Sequence, residues 1–292
     1  MADKVGVFNR LGFGATGATT ATAELEFLAG STLGLSENFI DANAIRGTRS
    51  HGSERVRRGT RRVDGTLLLA PNPAELALLL PYIFGAVAAG TSFPLGESLT
   101  DFVLFPVRDG TVYTVNGLYV ERAVFSAAEG APMQLALTLV GKDEAASGSM
   151  GAVAIDVASG GPFTLMDTVV SIAASAREVP AFELTVDNAL EVKFRNSPTP
   201  TQIKATDRIV TVSLPLSVGT DSALYGSALA GVAVVITLTN GAVSLALTAA
   251  AVQAPKAPLP LGQRGILEFP WNGVARKIGS TPELSCVLDS TP

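Results

Sequence analysis

Any chemistry in this chain would have to come from very few groups. The one histidine, His51, lies in Arg49-Ser50-His51-Gly52-Ser53. Alone it cannot build a metal cluster, and a catalytic triad would need it beside an activated serine and a buried acid. The single cysteine, Cys286, has no partner for an intrachain disulfide. It follows Pro282 in an apolar stretch and reads as a small buried residue rather than a nucleophile. Paired-cysteine spacing and a His-Glu-x-x-His pattern are both absent from the sequence, which removes zinc chemistry. Glycosidase carboxylates leave no motif, but nothing suggests an aromatic-rich substrate cleft. Gly12-Phe13-Gly14-Ala15-Thr16-Gly17 matches Gly-x-Gly-x-x-Gly, whose backbone amides hold a pyrophosphate where strands alternate with helices. Here a β meander follows, so the motif reads as part of a flexible arm. No cofactor, metal or catalytic residue is expected.

The most unusual local feature is the run Arg46, Arg49, Arg55, Arg57, Arg58, Arg61 and Arg62, seven of the fifteen arginines within seventeen residues. Three roles fit it: a solvated loop, an arm whose guanidinium forks dock on carboxylates of a neighbouring subunit, or a phosphate contact with nucleic acid.

These groups must be carried by a chain of 292 residues, enough for one large domain or two ordinary ones. It is 47% apolar and only 16% charged, and its mean hydropathy is +0.37, so much of its surface is expected to meet protein. A net charge of −5 gives the chain as a whole no electrostatic footprint for wrapping nucleic acid. Met1-Ala2-Asp3-Lys4 lacks the basic head and apolar run of a secretory signal, and the cysteine usage leans towards the cytoplasm. Ala228 to Val252 carries no charge and is long enough to span a membrane. Asn240-Gly241 at its centre, flanked by β-branched and alternating residues, marks it instead as a hairpin.

The pattern elsewhere is mainly β. Residues 1–34, rich in Gly, Ala and Thr, suggest an N-terminal arm or edge strand. Strands are expected over Phe39 to Ile45 and Val63 to Leu69, and then at Asp101 to Val107, Val112 to Val115 and Tyr119 to Ala127, with turns at Asp109-Gly110 and Asn116-Gly117. Met133 to Val140 alternates apolar with small or polar residues. The one clear helix runs from Ala74 to about Phe84, with Asn72 as its cap, Pro73 in the first turn and Leu76, Leu79, Leu80 and Ile83 as a core-facing stripe. A Gly/Ala/Ser-rich passage suggests a linker over 146–161 between units at 35–145 and 162–292. Strands beyond it are expected at Phe182 to Val186, Leu190 to Phe194, Ile209 to Leu214, Gly265 to Phe269 and Leu284 to Leu288. The halves show a weak repeat. Arg62-Val63-Asp64 is echoed by Arg208-Ile209-Val210, Asp109-Gly110 by Asn240-Gly241, and Gly141 by Gly273, with Asp221 to Leu229 where the first half has its helix.

Taken together, Ile45-Arg46-Gly47-Thr48-Arg49-Ser50, Arg58-Gly59-Thr60-Arg61-Arg62-Val63-Asp64-Gly65-Thr66-Leu67 and Pro71-Asn72-Pro73-Ala74-Glu75-Leu76 resemble the major tail tube proteins of long-tailed, siphovirus-type bacteriophages. The likeness continues through Phe93-Pro94-Leu95, Tyr113-Thr114-Val115-Asn116-Gly117, Leu137-Thr138-Leu139-Val140-Gly141-Lys142, Leu184-Thr185-Val186-Asp187-Asn188-Ala189-Leu190 and Asp207-Arg208. The resemblance implies two tail-tube-type antiparallel β-sandwich or barrel units with a flanking short helix, closing into a ring on assembly. It implies a non-enzymatic subunit of the virion tail, assembled in the host cytoplasm. Its partners would be further copies of itself, tape measure, terminator and distal tail proteins, with DNA passing through transiently and no membrane. An acidic wall would let DNA slide. A true duplication would close a ring from three chains, the preferred form; a decorating second half would need six. The arginine run would then lie between stacked rings. The alternative is a virion-displayed carbohydrate-binding or adhesin-like β-sandwich, against which stands the single tryptophan, Trp271, beside Phe269. An enzyme with an unrecognised site is the third class.

Overall fold

The computed structural model of the chain describes residues 9–41, 56–155, 160–217, 221, 224, 231–256 and 268–289. The first half carries β1 (Leu11–Ala15), β2 (Ala23–Leu25), β3 (Thr32–Asp41), β4 (Val56–Leu69), the helix α1 (Pro73–Phe84), β5 (Ser92–Phe93), β6 (Phe102–Arg108), β7 (Thr111–Val112), β8 (Thr114–Ala128), β9 (Gln134–Gly141) and β10 (Asp143–Ala145). The second carries β11 (Thr168–Ile172), β12 (Ser175–Arg177), β13 (Ala181–Asp187), β14 (Leu190–Lys193), β15 (Gln202–Ala205), β16 (Ile209–Ser217), β17 (Val232–Asn240), β18 (Val243–Gln253), β19 (Glu268–Ala275) and β20 (Leu284–Asp289). The fold is mainly β with one short α-helix among the described residues, and its strand pairs are antiparallel.

A principal ladder runs β3–β4–β9–β8–β13–β16–β19 and crosses from one half to the other through β8–β13. The N-terminal part of β8 leaves it to join β2–β1–β6 on one side and β10 on the other. In the second half, β12–β11–β17–β18–β20 forms the covering layer.

Residues opposite one another on neighbouring strands share a face, so the registers read out rows across the ladder. Leu69–Leu135–Phe125–Leu184–Val212 is one row and is buried throughout. The next row on that face, Leu67–Leu137–Ala123–Val186–Val210, is buried too. One hydrophobic cluster therefore runs through both halves without a break at β8–β13. Burying side chains of this size stabilises by about 1.5–3 kcal/mol each relative to leaving them in water.

The helix forms where its signals predict. Asn72 accepts from the Glu75 backbone N–H at 2.9 Å, and the Glu75 carboxylate accepts from the Asn72 N–H at 3.1 Å, a complete capping box. Pro73 occupies the first turn, and Gly85, at φ 78°, ends the helix. Leu76, Leu79, Leu80 and Ile83 are buried against the sheet.

Four local expectations change. The first 34 residues are not an arm from Leu11 onward: β1 is buried between β2 and β6. Small residues made this stretch look unstructured, but they permit close packing. A Cβ on Gly12 would lie 2.6 Å from Ala21 Cβ, and one on Gly14 would lie 2.7 Å from Ala18 Cβ. Asn116-Gly117 is not a turn. β8 runs straight through it, and Gly117, at φ 62°, sits where the register with β6 shifts between Phe102 and Leu104. Its positive φ serves a bulge instead of a reversal. The β17–β18 hairpin forms as predicted, but Asn240 pairs with Val243, so Gly241-Ala242 makes the turn. Only Gly241 of that pair has positive φ, which suits a type II′ turn. The expected linker is packed at its start: Ala21 N–H donates to Ser149 O at 2.9 Å, and Met150 is buried with Phe105.

Candidate assembly surfaces

The face of the principal ladder opposite the core carries two polar rows on either side of a largely apolar one, Leu68–Ala136–Val124–Thr185–Thr211–Val274. Gln134, Ser126, Glu183, Ser213 and Asn272 form one row across it, with Ser213 hydrogen-bonded to Asn272 at 2.6 Å. Thr66, Thr138, Arg122 and Asp187 form another. Asp64, Glu183, Asp187 and Glu268 outnumber Arg62 and Arg122 there.

The arginine run is divided by the fold. Arg46, Arg49, Arg55 and His51 lie outside the described residues. Arg57 and Arg58 stand on the distal part of the β3–β4 hairpin, opposite Ile40 and Phe39. Here the hairpin projects beyond the core: Phe39 is 64% and Ile40 59% exposed. Arg58 makes a loose contact with Glu37 at 3.6 Å. Arg61 and Arg62 belong to the body. Arg61 pairs with Asp143 at 3.1 Å, while its backbone N–H donates to Pro198 O at 2.7 Å; Arg62 pairs with Asp64 at 2.9 Å. A bulge at Gly59-Thr60, opposite Asn38, separates the two groups.

Charged residues with no sequence motif complete the surface. Arg208 bonds Glu283 at 2.6 Å and Gly96 O at 2.7 Å. Arg108 reaches both Glu144 oxygens at 2.9 Å, lies 5.0 Å from the Tyr113 ring centroid and donates to the Leu33 carbonyl at 2.5 Å. Arg10 grips Glu24 through two bonds of 2.7 and 2.6 Å. That hydrogen-bonded carboxylate, and its charge, raise the Arg10 pKa above its ordinary value. Sequence offered one signal, the arginine preceding a strand at Arg62 and Arg208. It could not show that Glu283, beside β20, is brought to Arg208, or that the β10 carboxylates Asp143 and Glu144 go to Arg61 and Arg108.

The other singled-out residues are structural. Cys286 is fully buried, and desolvation pushes its thiol up to about 12. Trp271 is buried on the core face of β19 and offers no sugar platform. Residues 232–253 form the β17–β18 hairpin, and among the described residues no helix is long and apolar enough to cross a membrane. Among the described residues no group of histidines, cysteines and carboxylates is placed to hold a metal ion.

Residues 9–275 match the family model described as phage tail tube protein. A search of the curated proteins found no match.

Proposed function

Since the chain belongs to the phage tail tube protein family, we propose that three copies close a pseudo-sixfold ring from duplicated tail-tube units, stacked along a siphovirus-type tail. The family fixes the coarser facts: this is a structural, non-enzymatic protein of the virion tail that assembles with itself and with other tail proteins.

The observation that carries the finer reading is a repeated pairing scheme. β1–β2, β1–β6, β3–β4, β4–β9, β6–β8, β8–β9 and β10–β8 recur as β11–β12, β11–β17, β13–β16, β16–β19, β17–β18, β18–β19 and β20–β18. The irregularities recur as well. The register shift between Phe102 and Leu104, facing Leu118 and Val115, is matched by that between Val232 and Val234, facing Val252 and Ala249. In this alignment Val63, Leu67 and Leu69 correspond to Val210, Leu214 and Leu216, all buried, and the ion pair Arg61–Asp143 corresponds to Arg208–Glu283. Arg61, not Arg62, is then the partner of Arg208. The first unit would begin at β1 rather than at residue 35, and the second, within 162–292, at β11.

Two units per chain supply two of six steps around a ring, and closure removes the sheet edges that a monomer exposes. The face of the ladder opposite the core would line the bore. Its excess of carboxylates over guanidiniums suits a wall along which DNA slides without sticking. The seven arginines, Arg46, Arg49, Arg55, Arg57, Arg58, Arg61 and Arg62, would act as contacts with neighbouring subunits of stacked rings. Arg57 and Arg58 are the ones whose side chains the body of the fold leaves on a projecting hairpin.

Electron microscopy of the protein at rising concentration, with the mass of the smallest ring, tests this. Rings of three chains are expected; rings of six would replace the duplicated form by a decorated hexamer. Reversing Arg57 and Arg58 to glutamate is expected to stop tube growth while leaving folding intact, and normal tubes from that variant would remove the arginines from the interface.

A further inference from the structure

The sequence holds three Asn-Gly pairs, Asn116-Gly117, Asn240-Gly241 and Asn272-Gly273. In such a pair the glycine nitrogen can close a ring on the side-chain carbon Cγ of the asparagine before it, because glycine has no side chain to obstruct the approach. The closure needs the asparagine backbone and side chain to rotate towards each other, and it needs room around the glycine. Asn116 and Asn272 are exposed and Asn240 is half-buried, so solvent access to the amide does not single out Asn240. The backbone does. Asn116 stands in β8 opposite Asp143 of β10, and its carbonyl accepts from the Lys142 N–H at 3.1 Å. Gly117 is buried, and a Cβ there would lie 2.7 Å from the Lys142 stem. Asn272 stands in β19 opposite Ser213, whose hydroxyl donates to Asn272 Oδ1 at 2.6 Å. Gly273 is buried as well, and a Cβ there would press on Val252 and lie 3.1 Å from Gln253 O. Asn240 is the last residue of β17, past Leu238, where the pairing with β11 stops. Gly241 and Ala242 beyond it are exposed, and a Cβ on Gly241 would meet no atom within 4 Å. The turn is closed between Asn240 and Val243. The bond that spans such a turn joins its first carbonyl to its fourth N–H, which leaves the second N–H, that of Gly241, outside it.

We propose that Asn240-Gly241 is a site of spontaneous deamidation, selected by the fold from three pairs that the sequence leaves equivalent. Gly241 N gives its proton to hydroxide and attacks Asn240 Cγ. The Cγ–Nδ2 bond breaks, and ammonia leaves with a proton taken from water. Water then opens the cyclic imide at either carbonyl, giving an aspartate or an isoaspartate whose backbone runs through the former side-chain carbon. Water is the only co-reactant, and nothing is oxidised or reduced. At Asn116 and Asn272 the same rotation must first break ladder or side-chain hydrogen bonds and displace packed neighbours, which slows the closure. The product exchanges an amide donor for a carboxylate. Asn240 Nδ2 donates to Gly161 O at 3.3 Å. The modified side chain loses that bond and sets a negative charge against the carbonyl, so the connection between the halves is released from the hairpin at Gly161. A virion renews none of its protein, so in a tail tube subunit the reaction accumulates with the age of the particle.

The test holds the full chain in warm, mildly alkaline buffer and follows each site by peptide mapping and mass spectrometry that separates aspartate from isoaspartate. Asn240 is expected to convert on the order of tenfold faster than Asn116 or Asn272, or more, in the folded chain. In guanidinium, where no ladder pins any of them, the three rates should converge. Equal rates in the folded chain, or a lead at Asn116 or Asn272, would overturn the proposal. Asn240→Gln, which would have to close a larger ring, should fold normally and show no early conversion at this turn. Asn240→Asp should reproduce the aged wild-type chain, with faster amide exchange in the residues that follow Gly161. Unchanged exchange there in both would overturn the release of the connection.

Discussion

Asn188 joins the two halves, and its replacement tests whether they fold as one body. The side chain is 2% exposed, and its amide donates to Ile83 O at 3.2 Å and to Val120 O at 3.1 Å. Ile83 is in the last turn of α1, where carbonyls lack intrahelical partners, and Val120 is in β8. Asn188→Ala deletes two bonds worth about 1 kcal/mol each net, and leaving the carbonyls dry adds to that, for an expected loss of about 2–4 kcal/mol. With roughly 2 °C per kcal/mol for a chain of this size, the melting temperature should fall by roughly 4–8 °C. Chemical denaturation followed by circular dichroism and by Trp271 fluorescence gives the free energy, and both probes should report a single transition. Asn188→Asp is expected to be worse at neutral pH, because a buried carboxylate would face two carbonyl oxygens. Its deficit relative to wild type should shrink as pH falls and the acid becomes protonated. A loss under 1 kcal/mol for Asn188→Ala, or separate transitions for the two probes in the wild-type chain, would refute the account of a bonded, single cooperative body.

Three further outcomes follow from the geometry. Asn72→Ala removes the acceptor for the Glu75 N–H and should cost about 1 kcal/mol in urea denaturation, with helix content and self-assembly retained. Gly65→Ala would put a Cβ 2.2 Å from Thr32 O and 2.7 Å from Leu33 Cα, so β3 must move off β4; a loss of about 1–3 kcal/mol and faster amide exchange in β3 are expected. Cys286, pushed up to about 12 by burial, should resist alkylation in the folded chain near pH 8 and react once unfolded. Because its folded pKa lies above the unfolded value of 9.0, its contribution to stability is complete below about 9 and lost as pH rises towards 12. Cys286→Ala should flatten that part of the stability curve.

Local chemistry was enough for several elements. Asn72-Pro73 and the Leu76–Ile83 stripe specify α1, and alternation from Met133 to Val140 specifies β9. In each, the signal depends on neighbours a few residues away. Period-two alternation also marked which residues of β9 face the core, and the scarcity of histidine and cysteine directed attention away from catalysis. The family was visible in the scattered likeness of short segments from Ile45 to Arg208.

Long-range packing decided the rest. β1 was hidden because Gly12 and Gly14 look like loop residues until Ala21 and Ala18 are seen pressed against them. Gly117 carries the same positive φ in a bulge that it would carry in a turn, so only the partner strand distinguishes the two. The seven arginines look alike in sequence. The fold gives Arg61 to Asp143 and Arg62 to Asp64, and leaves Arg57 and Arg58 on a projecting hairpin. The composition, the helix and most of the strands were determined by the sequence itself, because their physics is local. The junction of the halves was decided by strand pairing between residues far apart in the chain, which no short-range pattern encodes.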